Sequence, residues 1–122
     1  MHVPRFLLKK LYVKNSLKNT DNGFQFTIKN TLVDGTVISP VTVVVDNTFI
    51  SPQDITLTVN NTPVAAATIS KTTTMLLPVD VEVFVVITGD LLPAGEHTLE
   101  IACTTKEFGD IKFSITDSVE SS

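Results

Sequence analysis

Apolar and polar residues alternate with a period of two along most of this chain. In GFQFTIKN, Phe24, Phe26 and Ile28 fall on one side, with Gln25, Thr27 and Lys29 on the other. DITLTVN repeats the pattern with Ile55, Leu57 and Val59, HTLEIACTT with Leu99, Ile101 and Cys103, and DIKFSITD with Ile111, Phe113 and Ile115. Successive side chains of a strand point to opposite faces, so each segment predicts a strand with one buried and one wet side. Two runs break the alternation. VTVVVD (41–46) and VEVFVVIT (81–88) are apolar at nearly every position, which predicts strands covered on both faces, by the domain itself or by another chain. RFLLKKLYVKN reads either as an amphipathic turn or two or as a strand; its β-rich second half favours strand from about Leu11.

Turn chemistry separates these runs. Asp21-Asn22-Gly23, Asp34-Gly35, Asp46-Asn47, Asn60-Asn61, Gly89-Asp90 and Phe108-Gly109-Asp110 supply residues that tolerate positive φ. Ser39-Pro40, Ser51-Pro52 and Pro78 interrupt the ladders where a missing N–H does no harm. Short strands punctuated at this spacing predict an all-β fold, a two-sheet antiparallel β-sandwich of immunoglobulin-like or jelly-roll-like type. Neither a repeat nor a linker is visible, so one domain over 1–117 with a frayed tail at 118–122 is expected.

Composition sharpens this. The 122 residues suffice for a core without metal or disulfide staples, and the apolar set is rich in β-branched valine and isoleucine. The net charge of −4 disfavours nucleic acid as a partner. It is unevenly spread: Arg5, Lys9, Lys10, Lys14, Lys18 and Lys29 are opposed only by Asp21 before residue 30. That cluster is a solvated face or a docking surface for an acidic partner. A single cysteine, Cys103, fits a reducing compartment, and no run is long enough to span a membrane. A soluble, cytoplasmic protein is expected.

Candidate chemistry is sparse. LLPAGEHTLEI (91–101) contains His97, one of two histidines, beside Glu96 in a glycine-proline turn. Pro93-Ala94-Gly95 is expected to form the turn, with a strand over 96–104 and His97 at its rim on the side of Leu99 and Ile101. Held there by packing and a hydrogen bond, it would be structural; as a catalyst it would need a second group to orient it. Gly95, Glu96 and His97 are thus candidates for a turn or pocket mouth, and Gly95→Val is expected to hurt more than His97→Gln. His2 lies at a terminus, which disfavours a two-histidine metal site. Asp80, Glu82, Glu96 and Glu100 read as solvated charges, and Cys103 as a small core residue. No phosphate-cradling glycine loop or Ser-His-Asp signature is present, so no catalytic, cofactor-binding or metal-ligating residue is assigned.

SLKNTDNGFQFTIKN (16–30), VTVVVDNTFISPQDITLTV (41–59) and LLPAGEHTLEI (91–101) together resemble the small β subunit of bacterial C-glycoside deglycosidases. The resemblance implies a non-catalytic accessory subunit of a heteromeric lyase that cleaves the C–C bond of 3-oxo-C-glucosides. Its larger partner, a TIM-barrel α subunit, would carry a divalent metal such as Mn²⁺ and the acid/base residues. Docking would use the doubly apolar strand, Val81, Val83, Phe84 and Val85, or the basic N-terminal strand with Lys9 and Lys10. The alternatives are an autonomous β-sandwich binding module and an enzyme that uses His97.

Overall fold

A computed structural model describes residues 3–120. Two antiparallel sheets face each other. One has the order β1 (Lys18–Thr20), β2 (Gly23–Lys29), β9 (Glu82–Thr88), β6 (Ile55–Val59), β7 (Thr62–Ala65). The other has the order β5 (Thr48–Ile50), β4 (Thr42–Val45), β10 (Gly95–Thr105), β3 (Gly35–Val37), β8 (Met75–Leu77), and β11 (Gly109–Val119) also pairs with β10. The all-β sandwich read from periodicity is therefore the fold. The inward sets meet between the sheets, where Phe26, Val37, Val43, Ile55, Leu57, Ile87 and Leu99 are all but inaccessible. Burying a side chain of this size contributes about 1.5–3 kcal/mol.

The hairpins follow their turn residues. Asp46 and Asn47 adopt φ of 48° and 71° between β4 and β5, and Asn60 and Asn61 adopt 51° and 65° between β6 and β7. Two consecutive left-handed residues make the tight turn whose twist matches the flanking strands.

Two expectations are corrected. No strand begins near Leu11: of the two readings of RFLLKKLYVKN the helical one holds, with Arg5–Leu8 an α-helical turn and Lys9–Leu11 a 3-10 helix, and Tyr12 makes a single bridge to Ile28. Pro4, whose ring fixes φ, precedes the helical turn, and the turn buries Leu8 while leaving Lys9 and Lys10 in water. Within the domain VEVFVVIT is covered on one face: Val83, Val85 and Ile87 are buried, whereas Phe84 is 41% exposed, which leaves another chain as the expected cover of the second face. Its extra apolar residues lie on the outer face of the sheet. Residues 118 and 119 are not tail, because β11 runs through Val119, which is buried opposite Gly95. The rest of the expected tail beyond Glu120, and His2, lie outside the described residues.

Candidate functional site

His97 sits where β10 leaves the loop that follows β9. Alternation places it on the inward side with Leu99 and Ile101, and its side chain is only 8% exposed. It is thus deeper than a rim position. The β4–β5 turn brings Asp46 across to it: Asp46 Oδ2 lies 2.5 Å from His97 Nδ1, and Asp46 Oδ1 accepts the Thr98 N–H at 2.9 Å. The Asp46 N–H donates to the Thr98 carbonyl at 3.0 Å, so turn and strand are bracketed twice. On the other side of the ring, Nε2 lies 2.7 Å from the Pro93 carbonyl oxygen.

These partners determine the protonation state. A carbonyl oxygen and an ionised carboxylate can only accept, so both ring nitrogens must donate and the ring is an imidazolium. The Asp46 hydrogen bond, then the Pro93 carbonyl, raise the His97 pKa above its ordinary value, with burial opposing them. Reciprocally, the His97 bond and then the Thr98 N–H hold Asp46 below the ordinary carboxylate range. A general base needs a free lone pair within reach of the proton it takes; His97 has none. Beside the pair lies an open hollow of about 470 Å³, lined in part by the exposed Phe49 and Leu91 and by Asp54 and Asp90. Of the hydroxyl residues that line it, Thr48, Ser51 and Thr88, Ser51 accepts the Gln53 N–H at 3.3 Å in a cap of the 3-10 helix Pro52–Asp54.

The remaining candidates do not converge. Gly95 opens β10 at φ 116°, with Ala94 as the bend before it. Glu96 is exposed opposite Ser118. Glu100 meets Lys112 at 3.5 Å on the outside of one sheet, while Glu82 begins β9 in the other. Burial, then Asp110, push the Cys103 thiol up to about 11, so it is no nucleophile. Among the described residues, no group of three or more His, Cys, Asp or Glu could hold a metal ion. For docking, Val83 and Val85 are withdrawn: both are buried inside the sandwich. Phe84 is exposed on the five-stranded sheet, Val81 is half-buried ahead of that strand, and Lys9 and Lys10 lie on the 3-10 helix beside β11.

One polar cluster escaped the sequence reading. The buried Asp117 accepts from Tyr12 Oη at 2.6 Å and from the Leu17 N–H at 3.2 Å, tying the N-terminal segment to β11. Burial, followed by the bond to Asp117, pushes the Tyr12 phenol well above its usual range. The signal was present: Asp117 follows Phe113 and Ile115 on the inward alternation.

Fold and site together describe an all-β sandwich domain whose histidine is committed to a structural clamp. A family model described as Hydroxymethylglutaryl-CoA reductase, N-terminal domain, matches residues 7–120, and the chain belongs to that family. No curated protein matches it. This overturns the resemblance to the C-glycoside deglycosidase β subunit. The segments that carried it are the β1–β2 hairpin, the β4–β5 hairpin with β6, and the loop into β10, which are turn-and-strand patterns that unrelated sandwiches share. The manganese-bearing TIM-barrel partner and the 3-oxo-glucoside lose their support with it.

Proposed function

We propose that this chain is a non-catalytic interaction domain that docks on a larger polypeptide with hydroxymethylglutaryl-CoA reductase activity. Membership of the family of that enzyme's N-terminal domains carries the reading. The site supports it from the other side, because the only described histidine has both ring nitrogens engaged. A reductase also needs a hydride donor; doubly wound sheets hold a dinucleotide on a glycine-rich turn opening a longer helix, whereas the described helices are a single turn of four residues and 3-10 turns of three. The unpaired Cys103 favours action in the cytoplasm, and no described helix is long and apolar enough to cross a membrane.

The docking face proposed is the outer side of the five-stranded sheet. Phe84 stands there between Thr27 and Thr58, with Val86 between Gln25 and Thr56. Aromatic residues are enriched in protein interfaces, and Phe84 is the exposed aromatic of this face. The test is size-exclusion chromatography with light scattering on the chain mixed with the catalytic reductase polypeptide. A complex is expected, Phe84→Ser should weaken it at least tenfold, and the chain alone should not reduce hydroxymethylglutaryl-CoA. Turnover by the isolated chain, or two separate peaks at micromolar concentration, would overturn the reading.

A further inference from the structure

The end of the sandwich away from His97 is built from different chemistry. Two apolar spaces of about 80 and about 100 Å³ adjoin each other, sharing Leu11, Ile28, Val37, Leu77, Thr105 and Ile111 as walls. One is lined also by Val3, Val33 and Phe108; the other reaches Leu57, Met75, Val85 and Phe113 in the core. Val33, at the mouth, is 50% exposed.

The few polar walls turn their heteroatoms away. The buried Asn30 donates to the Val33 carbonyl at 2.9 Å and the Leu77 carbonyl at 2.7 Å, and its oxygen accepts the Leu32 N–H at 3.2 Å. Thr105 Oγ1 accepts the Phe108 N–H at 3.0 Å and donates to the Gly109 carbonyl at 3.2 Å. No buried side-chain nitrogen or oxygen of the described residues lacks a partner. Water entering the slot would therefore find no unpaired buried side-chain nitrogen or oxygen among the described residues, and cavities with apolar walls stay dry and take up small hydrocarbons. The Asn30 clamp also fixes the mouth loop in place, so the slot is formed before anything enters it.

We propose that this slot receives the end of an unbranched hydrocarbon chain, such as the tail of a fatty acyl group, with its polar head left in water beside Val33 and Phe108. Shape selects the class. Two small apolar spaces that share six wall residues suit a narrow flexible chain better than a rigid ring.

Lauric acid is a suitable probe, because its tail end is unsubstituted, read by isothermal titration calorimetry into the full chain. A saturable, one-to-one binding heat is expected. Val37→Phe, which fills the wall shared by both spaces, should weaken binding at least tenfold. Val33→Glu, at an exposed position that cannot disturb the core, should weaken it several-fold by charging the mouth. Phe49→Ser, in the hollow at the opposite end, should leave binding unchanged. Non-saturable heat, full binding by Val33→Glu, or loss of binding in Phe49→Ser would overturn the proposal. Should Val37→Phe fail to fold, Val33→Glu and Phe49→Ser decide it.

Discussion

At the scale of single residues, the charged pair of His97 and Asp46 governs how stability responds to pH. The folded state raises the histidine above its ordinary 6.5, so its contribution is complete below 6.5 and fades as pH climbs through the raised value. Asp46 is held below its ordinary 3.8, so its contribution is complete above 3.8 and fades as pH falls through the lowered value. Between the two lies a plateau. His97→Gln should cost about 2 kcal/mol at pH 6, the low end for hydrogen bonds to a charged group because Asp46 is half-exposed. Gly95→Val should cost about 1–3 kcal/mol through backbone strain at positive φ, with nothing for the new side chain to strike. Thermal melts from pH 5 to 10 separate the two. The His97→Gln deficit should shrink as pH rises while the Gly95→Val deficit stays flat; a His97→Gln deficit independent of pH would refute the imidazolium. The sequence alone priced His97 as one modest bond at a rim, because its main partner lies 51 residues away in the chain. Alternation can say which side a residue faces, but not what the opposing hairpin brings to it.

At the scale of elements, pairing geometry imposes demands that composition does not reveal. Gly23 begins β2 opposite Thr88, and a Cβ there would lie 2.0 Å from the Ile87 carbonyl oxygen, a backbone atom that cannot swing aside. Gly35, in β3, has nothing within 4 Å of the same added atom. Gly23→Ala should therefore lose roughly 3 kcal/mol or more by forcing two paired strands apart, whereas Gly35→Ala should be neutral or stabilising by a few tenths. Urea midpoints for the pair decide this, and equal midpoints would show that the β2–β9 ladder yields. Strands with clean alternation, such as Gly23–Lys29 and Ile55–Val59, were legible because one wet face leaves a period-two record. The N-terminal helical turn was legible only as one of two readings, since four residues are too few to show a helical period. The outer residues of β9 left the covering element open, because an apolar side chain exposed on the lone domain, like Phe84, looks in sequence like one buried within it.

At the scale of the molecule, the ends of the sandwich differ in character: one is bracketed by an ion pair, the other holds an apolar slot. The sequence could place His97 at its strand's entry but neither its Asp46 partner nor the slot, since each is assembled from strands distant in sequence; the family, too, was misjudged from hairpin patterns that do not identify a lineage.

The strand order has a consequence in time. β10 and β11, each of 11 residues, are joined by a turn of only residues 106–108, so they can zip together locally, on the microsecond scale of hairpins. β2 has no such neighbour on its inner side; Lys29 must find Glu82, and Gly23 must find Thr88, before the five-stranded sheet has a centre. Closing so long a loop is an entropic toll levied ahead of any contact, which places the whole fold in the millisecond-to-second class of non-local β proteins. Phe113→Leu in β11 should therefore slow refolding by most of its effect on stability, while Phe26→Leu in β2 should act almost wholly on the unfolding rate. Stopped-flow chevrons with the opposite assignment would mean that the central strands meet first. In the expected order, the hairpin that carries His97 waits, already formed, for Asp46 to arrive.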